Sequence, residues 1–499
     1  MSLFRLLLFS LFTAATVFAA KPNVIIIYLD DMGYGDASCL NPQAKFQTPN
    51  IDRLAGEGMT FTDGHSPDTV CTPSRYGLLT GRYSWRTTMK RGVMGAEGKC
   101  LIADGRTTLA SFLRDNGYAT AMVGKWHLGM DFPGTKGDRD WLKPTVDMPL
   151  DKGFDYFWGI PASMNYGVLA WFEGRMAKVP PTLFTRKKPN QIAIDDYRVK
   201  PPYQAKPVKP NDLEVAPDFV DIDCLDRFTE QVIKWLDRQA AAARNGKPFM
   251  LYLSHTSPHK PVIPLKRFRG QGDAGAYGEF MIETDWHVGR VLDWLDENKL
   301  ADNTIVVFTS DNGPENTWRK RNEKFGHQSN GIYREGKRSI YEGGHRVPFL
   351  VRWPAKVKAG SRWEQPVCQT DLLATFAEML GKNLPDNAGE DSVSFYRALT
   401  GENAPQRLAM IHHGMQGRYA IREGQWKLIM ESGRRAAKRE LYDLSADPGE
   451  KNDLIAKHPK VAKRLAKRIT EIIQNGRTTP GQRQPNDTPP WKDLVWMVD

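Results

Sequence analysis

The fold of this chain is set by the stretch NVIIIYLDD, residues 23–31. A continuous run of β-branched and aliphatic residues that ends in charge is typical of a strand buried on both faces, as in a parallel sheet. Similar runs recur at residues 119–123, 249–253, 304–309 and 347–351. Polar residues follow these runs, and open α/β sheets bind ligands outside the carboxyl ends of their strands. The sequence therefore predicts a mostly parallel sheet with a ligand site at one edge.

Helical patterns separate these strands. They lie at residues 48–58, where Pro49 suits a first helical turn, and at residues 107–116, 218–243 and 278–298. Strands that alternate with helices predict an α/β fold in which helices sandwich the sheet.

The character of the chain changes at about residue 371, where short strand-like runs and a final basic helix predict a small antiparallel sheet with one helix. The runs lie at residues 409–412, 419–422, 426–430 and 441–443, and the helix at 459–475. Residues 180–217 are rich in Pro and Lys and are interpreted as a surface insertion. We divide the chain into a signal peptide (1–20), an α/β domain (21–370), an α+β subdomain (371–477) and a Pro-rich extended tail (478–499).

The N-terminal segment predicts export. Arg5 supplies a positive charge, residues 6–12 supply an apolar core, and cleavage after Ala19 or Ala20 would leave Lys21 near the mature N-terminus. An N-terminal membrane anchor is the alternative. We expect a periplasmic or extracellular protein, or a lysosomal type if the source is eukaryotic, with no membrane span after signal cleavage.

Composition excludes other classes of protein. Hydrophobic residues make up 40% of the chain and 14 residues are Trp, which excludes wholesale disorder. The 69 Lys and Arg against 58 Asp and Glu leave a formal net charge of +11. This balance favours a polyanionic partner such as a sulfated or phosphorylated polymer or a nucleic acid, although a basic, soluble surface would explain it equally well.

Cysteine usage points to one unusual residue. The count is odd, and in an exported chain this indicates a cysteine that is not a structural thiol, unless one is simply buried and free. In CTPSR, residues 71–75, Pro73 suits a first helical turn and places Cys71 at a helix N-terminus with Arg75 facing it. The helix dipole and the guanidinium would stabilise an anion there, and an inert capped helix start is the alternative. The five cysteines are Cys39, Cys71, Cys100, Cys224 and Cys368.

Two pairs of side chains with oxygen ligands follow stretches that are predicted to be buried strands. Asp30 and Asp31 end the first, and Asp311 and Asn312 follow the run at residues 304–309. One such pair is most simply a solvated turn, but two pairs of oxygen ligands at one sheet edge favour a hard cation, Ca²⁺ or Mg²⁺.

Lys125 and His127 follow the run at residues 119–123. If the chain stays extended, a cation and a titratable base project from one face. An exposed lysine beside a packed histidine is the alternative.

Taken together, these motifs resemble those of the formylglycine-dependent sulfatases of the alkaline phosphatase superfamily. The resemblance runs from Asn23 to about Leu454 and implies an alkaline-phosphatase-like fold and a sulfuric ester hydrolase. Its motifs are CTPSR at residues 71–75 with LLTGR at 78–82, GKWHLG at 124–129, SDNG at 310–313, and GK at 336–337 with YEGG at 341–344.

The resemblance also implies a nucleophile and a metal. Cys71 would be oxidised to formylglycine by a formylglycine-generating enzyme, and Arg75 would steady the product. A calcium ion would be held by the modified Cys71 together with Asp30, Asp31, Asp311 and Asn312.

Further matched residues would act on the substrate. Lys125, Lys337 and His259 would bind it, and His259, preferred over His255 in the stretch SHTSPHKP, would protonate the leaving alcohol. His127 would act on a formylglycine hydroxyl. Further residues that would reach the substrate are His345, Arg346 and His413, with His412 as the alternative to His413.

The implied reaction is sulfate-ester hydrolysis by hydrated formylglycine, a geminal diol whose hydroxyl attacks sulfur. The expected substrate is a sulfated carbohydrate, with galactose or N-acetylgalactosamine sulfate suggested by residues 159–163, or an aryl sulfate; no nucleic acid is expected. The alternatives are a phosphodiester or phosphonate hydrolase of the same superfamily and a non-catalytic protein that binds sulfated glycans.

Overall fold

A computed structural model describes residues 21–185, 204–404, 407–431, 438–488 and 494–497. The predicted signal peptide, much of the predicted insertion and part of the predicted tail lie outside these ranges. Among the helices described, none combines the length and the apolar character that crossing a bilayer requires.

The structure alternates strands and helices as the sequence predicted. The strands are β1 (Asn23–Asp30), β2 (Met59–Phe61), β3 (Gly64–His65), β4 (Ala119–Lys125), β5 (Gly134–Thr135), β6 (Asp138–Arg139), β7 (Tyr156–Ile160), β8 (Val168–Leu169), β9 (Phe172–Glu173), β10 (Met176–Ala177), β11 (Leu183–Thr185), β12 (Leu213–Val215), β13 (Phe249–Pro258), β14 (Thr304–Ser310), β15 (Phe349–Arg352), β16 (Ser361–Trp363), β17 (Val367–Cys368), β18 (Met410–Gly414), β19 (Arg418–Glu423), β20 (Trp426–Ile429) and β21 (Glu440–Asp443). The helices are α1 (Pro49–Glu57), α2 (Cys71–Thr80), α3 (Leu109–Asp115), α4 (Cys224–Arg244), α5 (Gly275–Glu297), α6 (Trp318–Phe325), α7 (Glu342–His345), α8 (Leu372–Met379), α9 (Tyr396–Leu399) and α10 (Pro459–Asn475).

A sheet of ten strands organises the larger part of the chain, in the order β10-β9-β7-β4-β13-β1-β14-β15-β2-β16. Its centre is parallel, since β1 pairs in parallel with β13 and β14, and β4 pairs in parallel with β13 and β7. The prediction of a mostly parallel sheet is confirmed. The run predicted at residues 347–351 forms β15, which pairs antiparallel with β14.

The strand β1 lies at the core of this sheet. Every one of its residues is buried, and alternate side chains of a strand point to opposite faces, so both faces of the sheet are covered. Helices α4 and α5 pack against β13, α1 against β15 and α3 against β4. Each buried Ile or Leu of β1 contributes roughly 1.5–3 kcal/mol relative to an exposed position, so this apolar run fixes the strand in place.

The C-terminal region contains the antiparallel sheet that the sequence predicted, in the order β18-β19-β20-β21. Helix α10 packs against β19 and β20, and its buried Leu465 and Ile469 join a separate apolar cluster with Tyr83 and Trp85. Helices α8 and α9 instead contribute to the main cluster. The domain boundaries proposed from the sequence stay a prediction.

Parallel strands end at one edge of a sheet, and this edge carries the candidate site. The residues after β1, β4, β13 and β14 all lie there. Helix α2 begins at the same edge, with Cys71 as its first residue.

Candidate active site

The two pairs of oxygen-ligand side chains meet at the ends of β1 and β14. Strand β1 ends at Asp30, and Asp31 has a φ of +70°, which turns the chain away from the extended conformation. Asp311 and Asn312 follow β14. The Asn312 amide donates to Asp31 Oδ1 at 2.8 Å, and Asp311 Oδ1 accepts from the Asp31 backbone N–H at 3.1 Å. The structure therefore brings the four predicted oxygen ligands together.

Cys71 lies against this carboxylate group. Its sulfur is buried, 3.6 Å from Asp30 Oδ1 and 3.6 Å from Lys337 Nζ. Arg75, one turn further along α2, donates to Asp311 Oδ2 at 2.8 Å and to the Lys125 carbonyl at 3.2 Å. Its guanidinium also donates to Ser254 Oγ on β13, so these hydrogen bonds fix the start of α2 against the ends of β14, β4 and β13.

Each buried carboxylate has a cationic partner. Lys125 Nζ donates to Asp30 at 2.6 Å, Lys337 Nζ donates to Asp31, and Arg75 pairs with Asp311. Burial would raise the pKa of Asp30, but Lys125, His259 and Arg75 together outweigh this effect and the pKa falls to about 2. Because a buried charge is tolerated only when it is paired, this matching of three anions with three cations is what allows the cluster to exist.

The thiol of Cys71 is not activated in this setting. Burial raises its pKa to about 12, although Lys125 and Lys337 pull it down. Desolvation outweighs these two lysines, so the thiol itself is not held as an anion in the folded chain. A neutral thiol is a poor nucleophile.

His259 is the histidine that the structure brings to the site. Its Nε2 lies 3.8 Å from Asp31 Oδ2, and its Nδ1 lies 2.7 Å from the Lys260 carbonyl, which can only accept a hydrogen bond. The proton on Nδ1 leaves Nε2 to gain or lose a proton. Burial lowers the pKa of His259, and Asp30 and Asp31 oppose this by favouring the charged form. His255 faces away, with its ring 6.2 Å from that of His287 on α5.

His127 lies beside the same cluster but not on an extended strand. Strand β4 ends at Lys125, and the φ of +63° at His127 contradicts the expectation that these two residues share a strand face. Its Nε2 donates to the Met94 carbonyl at 2.9 Å, and its buried Nδ1 has no hydrogen-bond partner among the described residues. Burial, with Lys125 and Arg75, lowers its pKa well below the ordinary value. His127 is therefore a neutral imidazole with a free acceptor nitrogen.

A cavity of about 220 Å³ opens onto Cys71. Cys71, His259 and Lys337 line it as expected, but sequence reasoning did not single out the remaining residues. Arg338 and Lys260 directly follow two matched residues, and this adjacency was the signal that could have identified them. The further lining residues are Val70, Val93, Asn165, Tyr166, Lys260, Arg338 and Met415.

Four residues predicted to bind or reach the substrate do not line this cavity, and one of them is Lys125, whose Nζ pairs with Asp30. Arg346 binds Asp63, His413 Nδ1 lies 2.6 Å from Asp68 Oδ2, and His345 lies in a separate buried cluster. Their contacts are to carboxylates and rings of the fold, and their contact with the substrate stays a prediction.

The separate cluster links the small antiparallel sheet to β3 and α7. His65 Nδ1 lies 2.9 Å from His345 Nδ1, and the rings of His345 and His412 stack with centroids 3.9 Å apart. The Lys427 ammonium lies 3.0 Å from Glu342 Oε1 and 3.2 Å from His345 Nε2. An ammonium thus already contacts two members of a group whose donor atoms alone would suit a metal.

The edge with Cys71, by contrast, fits a metal cation. Asp31 Oδ2 and Asn312 Oδ1 are buried and lack a hydrogen-bond partner within the described part of the chain. An unpaired buried polar atom costs roughly 1–3 kcal/mol, which a bound cation would offset. Carboxylate and amide oxygens make up the donor set, with His259 and Cys71 beside them, and this composition favours a hard cation.

Two models of known families match this chain. A family model described as "Sulfatase" matches residues 22–382, and one described as "N-sulphoglucosamine sulphohydrolase, C-terminal" matches residues 331–475.

Individual proteins are similar over nearly the whole chain. An N-acetylgalactosamine-6-O-sulfatase of Bacteroides thetaiotaomicron is 34% identical over 91% of this chain and 93% of its own length. Human arylsulfatase A is 31% identical over 89% of this chain and 85% of its own. A solved structure from work on glycosaminoglycan metabolism by Bacteroides thetaiotaomicron superposes with a TM-score of 0.78 at 33% identity, covering 91% of this chain and 100% of that one.

Proposed function

This chain belongs to the sulfatase family and is a sulfuric ester hydrolase, and we propose that it removes sulfate from a sulfated carbohydrate with a formylglycine made from Cys71 and a bound calcium ion. The observation that carries the proposal is the position of Cys71. Its sulfur lies at the start of a helix, 3.6 Å from a carboxylate oxygen of Asp30 and 3.6 Å from the ammonium of Lys337. A nucleophile at this position would contact both the metal ligands and a sulfate-binding cation.

Calcium is the metal that we propose for the oxygen ligands Asp30, Asp31, Asp311 and Asn312, with modified Cys71 as a further ligand. Ca²⁺ takes several oxygen ligands in flexible geometry, which suits carboxylates that come from two strand ends. When bound, the ion would supply positive charge that polarises the sulfate group. Because the three carboxylates are already balanced by Lys125, Lys337 and Arg75, the site with its ion would carry a net positive charge that attracts an anionic ester.

The protonation state of the Cys71 thiol supports the proposal that this residue is converted to formylglycine. A protonated thiol with a pKa of about 12 would not attack sulfur at neutral pH. We propose that a formylglycine-generating enzyme supplies the reactive group before the protein is active, and that Arg75 steadies it by holding the first turn of α2 against Asp311.

Four side chains would then bind the sulfate group or transfer protons. Lys125 and Lys337 would bind the sulfate oxygens, where fixed cations stabilise the charge that develops in the transition state. His259 would give a proton to the leaving alcohol, since it lines the cavity and Asp30 and Asp31 oppose the lowering of its pKa by burial. His127 would accept a proton at the free Nδ1.

The size of the cavity supports a small group as substrate. At about 220 Å³ it is below the roughly 300–1,000 Å³ of sites for drug-sized ligands. We propose that it takes the sulfate and the sugar unit that carries it. The similarity to an N-acetylgalactosamine-6-O-sulfatase favours N-acetylgalactosamine 6-sulfate as the first candidate.

The test is a desulfation screen of defined sulfated saccharides with protein matured by a formylglycine-generating enzyme. We expect sulfate release from N-acetylgalactosamine 6-sulfate or galactose 6-sulfate, and none from Cys71→Ala protein. Release from aryl sulfates alone would overturn the carbohydrate assignment. Cleavage of phosphonate or phosphodiester substrates in place of sulfate esters would overturn the proposed reaction.

A further inference from the structure

Arg338 occupies an unusual position at the mouth of the cavity. It follows Lys337 directly, and its φ of +79° lies in the left-handed region that favours glycine. Its backbone N–H donates to the Thr69 carbonyl at 2.9 Å, which ties this conformation to the loop before Cys71. A long cationic side chain held in a backbone conformation suited to glycine points to a function for that side chain.

The guanidinium shares one carboxylate with a second cation. Arg338 forms a two-pronged pair with Glu315, with Nη2 to Oε2 at 2.8 Å, and Lys260 Nζ lies 3.2 Å from the same Oε2. These three side chains therefore leave one uncompensated positive charge. Arg338 is 33% exposed, whereas Lys260 and Glu315 are each 13% exposed, so the guanidinium is the most accessible of the three.

This charge lies at the cavity beside Cys71. The charged residues that line the cavity beside Cys71 are Lys260, Lys337 and Arg338, and no carboxylate of the described chain lines it. A neighbouring cavity of about 400 Å³ shares Lys337 and Arg338 with the first and is also lined by Arg418 and by the Arg319–Glu335 ion pair. Arg338 thus stands between the space for the scissile sulfate and an open cleft where the rest of a saccharide would lie.

We propose that Arg338, supported by Lys260, binds a second anionic group of the substrate, either a second sulfate or a uronate carboxylate. This inference rests on the proposed function, because it concerns the leaving sugar of the same reaction. A single sulfate ester would pair with Lys125 and Lys337. It would leave the net positive charge of Arg338, Lys260 and Glu315 without a partner. Guanidinium groups bind sulfate and carboxylate through two parallel hydrogen bonds, and Glu315 already shows this mode of binding with Arg338.

The test measures binding in a Cys71→Ala background, which does not require turnover. Calorimetry would compare N-acetylgalactosamine 6-sulfate, its 4,6-disulfate, and an unsaturated uronyl disaccharide with one 6-sulfate. Arg338→Gly suits the positive φ and should leave the fold intact. We expect it to weaken binding of one or both dianionic saccharides about 10- to 100-fold, and that of the monosulfate by about threefold or less.

Two further variants test whether the effect depends on the positive charge at residue 338. Arg338→Lys keeps the charge and should retain most of the preference for the dianionic saccharide. Lys463→Ala removes one exposed charge on α10, outside both cavities, and should change none of the affinities. The saccharide whose binding depends on Arg338 identifies the second anion as sulfate or carboxylate.

Equal weakening of all three ligands by Arg338→Gly, or the absence of binding by both dianionic saccharides, would overturn this inference. Its failure is separable from failure of the proposed function. If matured protein with Arg338 intact releases sulfate but shows no Arg338-dependent preference, only the second-anion assignment is lost. If that protein releases sulfate from no saccharide, the proposed function fails whatever the binding result.

Discussion

The ammonium nitrogen of Lys337 lies 3.6 Å from the sulfur of Cys71. The same ammonium donates to Asp31, so one cation contacts both the proposed nucleophile position and the proposed metal ligands. Burial would lower the pKa of Lys337, but Asp31 and neighbouring groups raise it well above its ordinary value. Lys337 therefore remains charged at any working pH, and a sulfate held at Cys71 would meet a permanent cation.

Replacement of this lysine is the first prediction. Lys337→Ala should lower kcat for sulfate esters by about 10²–10³-fold, because it removes a fixed donor to the developing charge. Steady-state kinetics on matured protein is the measurement, with Lys234→Ala on the exposed side of α4 as the charge-matched control. A loss below tenfold would show that Lys337 serves the carboxylate cluster and not the reaction.

Removal of metal is the second prediction. Calcium at 100 times its Kd should stabilise the protein by about 2.7 kcal/mol, and a chelator should lower both Tm and activity. Magnesium should restore less, because it holds its water shell more tightly. Differential scanning calorimetry with metal analysis of the protein gives the readout.

A pair of asparagine variants separates the site from general salt effects. Asn312→Ala removes a ligand oxygen and should abolish most of the calcium-dependent rise in Tm. Asn316→Ala, an exposed residue four positions on, should leave it unchanged. An identical calcium response in the two variants would remove Asn312 from the ligand set.

Much of this site could be predicted from local sequence patterns. Asp30 and Asp311 each follow a buried apolar run, and two parallel strands that are neighbours end side by side, so their convergence follows from the pattern alone. The sequence pattern also predicts helix boundaries close to those in the structure; α10, for example, spans residues 459–475 as predicted.

The features that escaped prediction depend on contacts distant in sequence. The antiparallel direction of β15 is set by its pairing with β14, and the position of His345 by Lys427, which lies on the small sheet. The raised pKa of Cys71 arises from burial by the whole fold, which outweighs the local charges that the sequence displays. The positive φ of Arg338 has no sequence signal, because most residues in such a conformation are glycines.

The chemical state of Cys71 is the third prediction. Peptide mass spectrometry of active protein should find an aldehyde in place of the thiol at this position. In protein made without the maturing enzyme, the thiol should react slowly with iodoacetamide at pH 7 in the folded state, because its pKa is about 12, and faster after unfolding. Full activity of protein with an intact thiol would contradict the prediction.

A buried carboxylate away from the site provides the fourth prediction. Burial raises the pKa of Glu283 on α5 to about 8, and its Oε2 accepts from the Leu265 backbone N–H at 2.8 Å. The folded state therefore keeps a proton that the unfolded chain loses above about pH 4.5, so stability should fall as pH rises from about 5 to 8. Glu283→Gln should flatten this slope and raise the free energy of unfolding at pH 8.

Chemical denaturation across this pH range is the measurement. Glu297→Gln, an exposed position on the same helix, is the matched control and should keep the slope of the unmodified chain. A Glu283→Gln slope equal to that of the control would mean that the carboxylate is ionised in the folded state.

The last prediction concerns two histidines that the structure holds in different states. His259 lines the cavity with its Nε2 3.8 Å from Asp31 Oδ2; burial lowers its pKa, and Asp30 and Asp31 oppose this by favouring the charged form. His127 presents a buried nitrogen without a partner among the described residues, and nearby cations disfavour its protonation. The first is placed to give a proton and the second to accept one.

Leaving-group dependence separates these roles. A nitrophenol leaves without help from an acid, whereas a sugar alcohol does not, and general acid catalysis is worth about 10²–10⁴-fold. His259→Ala should therefore lower kcat/KM for a sugar sulfate by about that factor and for 4-nitrophenyl sulfate by about tenfold or less. His127→Ala should slow both substrates alike, because its step does not involve the leaving alcohol. His255→Ala, on the same strand but facing α5, is the control and should preserve the ratio between the two substrates. Equal losses on both substrates for His259→Ala would remove it as the acid, since binding alone would then explain its effect.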